Sequence, residues 1–386
     1  MNERILALKP YPMLELARRK KALEEQGVEV FDFGTGDPKE ATAPLIREAL
    51  QAAVPRVSQY PSVKGEAELR RVFCRWFEGR FGVSLDPETQ ALPSRGSKEA
   101  IFHLPLVLVD PSRERDTVVF PRPGYPVMEI GSLYAGAKTY PVPLHAANDY
   151  LMRPDLVPPE VLDKAAIVWL NYPHNPTGRD LPDDLFRAWV EARERHGFIL
   201  CSDECYTEIY FGKKPRSLLE FGGEGCLAFH SLSKRSGMTG YRSGMVCGDA
   251  GLLDLYSRCR AGMGQAMPVY EQAASQAAWG DEVHVEERRE IFRQKREVML
   301  EGLRARGFTV LETTSTFYLW VACPPGLLDL ELAKRLLEKG VIVSPGSFFG
   351  PGNEEWFRFA LVPGVEDCKR ALECIPTIEA LSGNSE

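Results

Sequence analysis

Residues 228–249, Ala-Phe-His-Ser-Leu-Ser-Lys-Arg-Ser-Gly-Met-Thr-Gly-Tyr-Arg-Ser-Gly-Met-Val-Cys-Gly-Asp, decide how this chain is read. An apolar run, Cys226-Leu227-Ala228-Phe229, stops at Ser231, Ser233 and Lys234; small residues and glycines follow, then Arg242. The run predicts a buried strand. A strand that ends in hydroxyls and one lysine is odd for a core, because burying an unpaired ammonium costs several kcal/mol. It makes sense if the lysine is kept as a nucleophilic amine, since desolvation lowers a lysine's pKa. Ser231 and Ser233 suit an anion's oxygens, and a guanidinium such as Arg242 clamps an anion with two parallel bonds. An amine that condenses with a carbonyl, next to an oxyanion site, suits a phosphorylated aldehyde.

Ser231-x-Ser233-Lys234, with Arg242 eight residues after the lysine, resembles the active-site segment of class I aminotransferases. These are fold type I enzymes that use pyridoxal 5′-phosphate. The resemblance implies that Lys234 carries the cofactor covalently and that Ser231 and Arg242 meet its phosphate, and Ser233 is taken as a further cofactor-binding residue.

Other segments carry the same resemblance. Phe198–Ser202 is apolar and brings Asp203 to a strand end, where open α/β sheets place their sites. A pyridine nitrogen must stay protonated to draw electrons from a substrate Cα, and a paired carboxylate holds that proton. Asp203 is that candidate, and the resemblance sends Tyr206 to the ring oxygen. Ala165–Leu170 leads into Asn171-Tyr-Pro-His-Asn175-Pro-Thr-Gly178. Asn-Pro-Thr-Gly after a strand is a family motif, which gives Asn175 a contact with the ring oxygen. Thr117–Pro121 is followed by Tyr125 between two prolines, matching the aromatic that the family stacks on the pyridine. Arg95-Gly96-Ser97-Lys98 opens an apolar helix, whose free N–H groups form a ready anion site; the resemblance assigns Gly96, Ser97 and Lys98 to the phosphate. Gly34-Thr-Gly36-Asp37-Pro38 lacks the third glycine of a dinucleotide fingerprint. It resembles the family loop whose backbone near Gly36 meets the substrate carboxylate. Arg358, in the alternating run Trp356–Leu361, matches the arginine that forks that carboxylate. Tyr60, before Gly65 and a helix from Glu66 to Phe81, matches the tyrosine that reaches the neighbouring subunit's phosphate. A homodimer with shared sites is therefore expected.

The 386 residues allow two substructures with sizeable cores. A net charge of −7 disfavours a nucleic-acid partner. Nine cysteines, several in apolar runs, read as reduced, buried thiols of a cytoplasmic protein. Cys201 and Cys205 have no second pair to complete a zinc set, so no metal is expected. The start, Met-Asn-Glu-Arg, shows no apolar leader, and no apolar run reaches membrane-spanning length. Strands near 117, 166, 198, 226 and 243 alternate with helices, which argues an α/β fold with a mainly parallel sheet covered on both faces. The resemblance makes it seven-stranded, in a large domain over residues 45–282. A smaller α+β domain takes residues 1–44 and 283–386, with strands at 316–321, 341–343 and 356–361. Pro12–Gln26 is expected to be a helix ended by Gly27, residues 28–33 a strand, and Leu381–Glu386 a frayed end.

The substrates are expected to be small amino and keto acids. The patches Gln272–Trp279, Asp281–Val285, His230–Ser236 and Arg242–Gly244 resemble N-succinyldiaminopimelate aminotransferases. That implies exchange of an amino group between glutamate and an N-succinylated amino-oxopimelate, in lysine and cell-wall synthesis. LL-diaminopimelate, aspartate and aromatic amino acids stand as alternatives, as do a lyase on the same fold and a non-catalytic ligand sensor.

Overall fold

A computed structural model of the chain describes residues 13–382. Its strands, in chain order, are β1 (Phe31–Asp32), β2 (Ala91–Ser94), β3 (Thr117–Arg122), β4 (Lys138–Pro143), β5 (Ala165–Asn171), β6 (Ile199–Asp203), β7 (Cys226–Ser231), β8 (Gly244–Gly248), β9 (Tyr318–Ala322), β10 (Val341–Ile342), β11 (Ser344–Pro345) and β12 (Trp356–Ala360). Seven form one sheet in the order β2-β8-β7-β6-β5-β3-β4. The strands from β7 to β4 run parallel, while β8 opposes both of its neighbours. The expected α/β fold, with its seven-stranded, mainly parallel sheet between helices, is therefore present. β2 and β4 are the two strands that hydrophobic patterning did not mark. Both are edge strands: β2 is short and contains Pro93, and β4 is half-polar, as edges tolerate.

Every residue of β5 is buried, because helices cover both faces of the sheet. Its side chains alternate between two apolar clusters: Val168 and Leu170 pack on one face, Ile167 and Trp169 on the other. Helices Ala67–Phe81 and Asp183–His196 close the first cluster, and Ser97–Leu108 closes the second. A third cluster joins Phe292, Met299 and Leu303 of helix Val283–Ala305 to β9, β12 and Phe33. β9, β11 and β12 form their own antiparallel sheet, and β1 pairs with β10 in parallel.

Two of the expected strands are shorter than read. Residues 28–33 give only β1, because β10 offers just two residues before the chain turns into β11. The strand expected from residue 316 begins at Tyr318, since Thr316 has a left-handed φ of 66° that no strand accommodates. The N-terminal helix covers Met13–Glu25, with Gly27 beyond it at φ 78°. Residues 1–12 and 383–386, including the start Met-Asn-Glu-Arg and most of the expected frayed end, lie outside the described residues.

Register brings the site together. Parallel pairing sets Asn171 opposite Asp203 and Asp203 opposite Phe229, two residues before Ser231. Ser231 and Ser94 both face Gly244. The ends of β2, β5, β6 and β7 and the start of β8 therefore share one edge of the sheet, and every segment singled out above except Tyr60, Gly36 and Arg358 leaves from that edge or from the end of β3.

Candidate active site

One cavity of about 550 Å³ opens at this edge. Gly36, Ser97, Lys98, Tyr125, Asn175, Asp203, Tyr206, Ser231, Ser233, Lys234, Arg242 and Arg358 all line it. Gly96 lies just behind, and Tyr60 is elsewhere on the chain, fully exposed.

One end of the cavity is cationic and rich in donors. The helix Ser97–Leu108 starts there with no side-chain cap, so the N–H groups of its first turn are left for a ligand. Gly96 precedes it at φ 80°, and a Cβ there would come within 2.7 Å of an Arg242 Nη2. Only glycine combines that backbone conformation with that approach. Arg242 is aimed by donating from Nη1 to the Thr239 carbonyl at 2.8 Å. Burial, then the charge of Arg242, lowers the pKa of Lys98. Two like charges held close in a partly desolvated space favour a bound dianion. On the same side Ser231 closes β7 and Ser233 follows it; the Ser231 hydroxyl accepts the Ser233 N–H at 3.2 Å.

At the centre, Lys234 Nζ donates to the Gly36 carbonyl. Desolvation pulls the Lys234 amine down to about 8, so near-neutral solutions hold a useful fraction of it uncharged. Asp203 is 2% exposed, and burial pushes its carboxyl up to about 7. It accepts from the Asn171 Nδ2 at 3.3 Å and the Cys205 N–H at 3.4 Å. Keeping it ionised costs about 4 kcal/mol at neutral pH unless a cation joins it. A heterocycle with a basic nitrogen answers that need. Tyr206, whose hydroxyl burial holds in its neutral form, shares a 2.8 Å hydrogen bond with the Tyr318 hydroxyl.

The far end holds Arg358, buried at 5% exposure. Its Nη1 donates to Asn175 Oδ1 at 2.8 Å, and its Nη2 to the Gly34 carbonyl at 2.9 Å. The guanidinium lies 4.1 Å from the Tyr318 ring centroid and 4.6 Å from that of Phe349. Its Nε has no hydrogen-bond partner among the described residues. Gly36 is close by, where a Cβ would strike the Tyr318 hydroxyl. The donor set thus fits a phosphorylated aldehyde of a pyridine: cationic cradle, tunable amine, carboxylate in want of a cation, and an arginine for a second anion beyond.

Sequence reasoning missed Tyr318, Asn171, Ser344 and Cys205 as members of this site. Tyr318 and Ser344 stand in apolar runs that read as core, and only tertiary packing turns them toward Arg358. Asn171 was legible in principle, as a polar residue closing a fully apolar strand. His174 beside Asn175 is buried, which pushes its pKa down to about 4; it holds the turn through Thr177 Oγ1 at 2.6 Å and the Pro123 carbonyl at 3.0 Å.

The comparisons agree with this geometry. A family model described as aminotransferase class I and II matches residues 28–375. An LL-diaminopimelate aminotransferase of Aquifex aeolicus is 37% identical over 98% of this chain and 99% of its own. The crystal structure of an aminotransferase from Neisseria meningitidis is 33% identical, with a TM-score of 0.88, and covers 99% of this chain and 100% of its own. A probable N-succinyldiaminopimelate aminotransferase of Thermus thermophilus is 29% identical at a TM-score of 0.88, over 95% of this chain and 99% of its own.

Proposed function

The chain belongs to the class I and II aminotransferases, which depend on pyridoxal 5′-phosphate, and from that premise we propose that it moves an amino group between LL-diaminopimelate and a keto acid such as 2-oxoglutarate. One observation carries the chemistry: Lys234, Asp203 and Arg358 face a single cavity whose opposite end is a cationic cradle. The choice of LL-diaminopimelate is supported by the Aquifex aeolicus relative that matches almost end to end. The N-succinylated substrate is the second reading. It is favoured by the Thermus thermophilus structure, at lower identity, and by the sequence patches quoted above.

In this reading Lys98, Arg242, Gly96, Ser97, Ser231 and Ser233 hold the phosphate, Tyr125 packs against the ring, and Tyr206 and Asn175 address the ring oxygen. When bound, pyridoxal 5′-phosphate supplies the aldehyde carbon that carries the amino group and the ring that takes up the electron pair left at the substrate Cα. Asp203, ionised, would hold a proton at the ring nitrogen. The Lys234 Nζ, when uncharged and free, would serve as the general base that takes the substrate Cα proton and later returns it. Arg358, with Asn175 and the backbone at Gly36, grips the α-carboxylate and so sets which Cα bond points along the reacting axis.

Tyr60 belongs to the same reading as a residue lent to a second copy, in a homodimer with shared sites. Its full exposure leaves it available for that contact. The division into a large domain over 45–282 and a small one from 1–44 and 283–386 is supported by the third apolar cluster, drawn mainly from the latter. A cytoplasmic location goes with nine unpaired cysteines. Among the described residues no helix is long and apolar enough to cross a membrane.

The test is a half-reaction panel. Holoenzyme is mixed with LL-diaminopimelate, its N-succinylated form, aspartate, tyrosine and glutamate, and the loss of the cofactor's visible band is timed. LL-diaminopimelate and glutamate should bleach it fastest. Faster bleaching by the N-succinylated compound would move the assignment to the second reading. Bleaching by none of them would refute the aminotransferase assignment.

A further inference from the structure

β5 is apolar and buried from Ala165 to Leu170, yet it ends in an asparagine that is itself fully buried. A buried amide costs about 1–3 kcal/mol unless its groups are bonded, so its partners say what it is for. Asn171 Nδ2 donates to the Asp203 carboxylate Oδ2 at 3.3 Å and to the Asp203 carbonyl at 3.4 Å. Its Oδ1 accepts the backbone N–H of Asn175 at 3.3 Å. Asn175 Oδ1 in turn receives Arg358 Nη1 at 2.8 Å. One side chain thus joins the carboxylate at the ring-nitrogen end to the turn that meets the carboxylate clamp.

Residue type matters here. The task needs a donor on one side and an acceptor on the other, which a neutral amide provides and neither leucine nor aspartate does. Strand register makes the placement exact in the along-strand direction, since Asn171 and Asp203 are direct partners in the β5–β6 ladder. Without the amide, Cys205 alone among the described residues, through its N–H and its thiol, would still donate to the Asp203 carboxylate, and the Asn175 N–H would lose its acceptor.

We propose that Asn171 is a positioning residue for the transfer: one amide orients the Asp203 carboxylate and anchors the Asn175 turn, fixing the ring-nitrogen partner relative to the substrate clamp. The inference rests on the aminotransferase reading and its cofactor. Loss of the amide leaves the Asp203 carboxylate less stabilised and misaligned, so the ring nitrogen is less firmly protonated. A less positive ring makes the nitrogen that Lys234 contributes more basic.

The experiment compares wild type with Asn171→Leu, which has the same branching and no hydrogen bonds, and Asn171→Ser, which is small and polar. The first readout is the pH titration of the visible band of the loaded protein without substrate. The second is cofactor affinity by equilibrium dialysis, and the third separates kcat from KM. In both variants the band's midpoint should rise by about half to one pKa unit, the size of one net hydrogen bond. Cofactor affinity should fall, and kcat should fall more than KM rises. Wild type with a normal band and variants that titrate at the same midpoint would overturn this inference alone. A wild-type protein that develops no band with the cofactor would overturn the site reading and this inference together. An Asn171→Ser protein that fails to fold would make Asn171 a structural residue and overturn it too.

Discussion

Replacing Arg358 with lysine keeps a positive charge at the clamp and removes its geometry. Arginine grips a carboxylate with two N–H groups in one plane, whereas lysine offers one nitrogen. One charge-assisted bond is forfeited, about 1.5–3 kcal/mol. The guanidinium also lies over Tyr318 at 4.1 Å and Phe349 at 4.6 Å, and losing those stacked faces adds about 0.5–1 kcal/mol. Lysine must leave at least one of Asn175 Oδ1 and the Gly34 carbonyl to reach a substrate. At 1.36 kcal/mol per decade, a total of about 2–4 kcal/mol predicts a fall of about 30- to 900-fold in the half-reaction rate constant over Kd. The assay is stopped-flow bleaching with a series of amino acids. Every donor carries the same α-carboxylate, so the factor should be nearly constant across the series. A loss under about fivefold, or one that tracks the side chain, would mean that Arg358 reads something other than the α-carboxylate.

Lys234→Met should stabilise the cofactor-free protein at low pH. The folded amine titrates near 8, against 10.5 for a free lysine, so its burial costs up to about 3 kcal/mol below pH 8. The cost fades as pH rises from 8 to 10.5, so urea midpoints of variant and wild type should differ at pH 6 and converge above pH 10; a gap that does not close would refute the assignment. Gly96→Ala forces a side chain into a left-handed φ of 80° and against Arg242, costing about 1–2 kcal/mol, and cofactor affinity should drop roughly tenfold by dialysis. Mixing Lys234→Ala with Tyr60→Ala chains should restore activity above the sum of the two parents, because each hybrid C2 dimer then holds one complete site. No gain on reassortment would show that Tyr60 acts within its own chain or not at all.

The chemistry was legible where a residue breaks the pattern around it. Lys234, Asp203 and Asn175 follow apolar strands at intervals that only a site explains, and all three line the one cavity. Gly96 was legible because a helix start without a capping side chain leaves N–H groups to be filled. Tyr318 was not, since it sits in an apolar run and becomes part of the site only when β9 packs beside Arg358 on β12. Asn171 lay in plain view, but its double role depends on register, which no single strand encodes. Strand edges were the other blind spot: β2 is buried but only four residues long and holds Pro93, and β4 is mostly half-exposed, so neither writes a clear pattern.

By itself the order of residues determined which groups are reactive and that an α/β sheet would carry them, since hydrophobic periodicity and misplaced polar residues are local properties. Tertiary structure alone decided how far the carboxylate clamp stands from the amine. Gly34, Asn175 and Arg358 meet across separations of up to 324 residues, and distance in a folded chain is set by packing between elements, not by the sequence within any one of them.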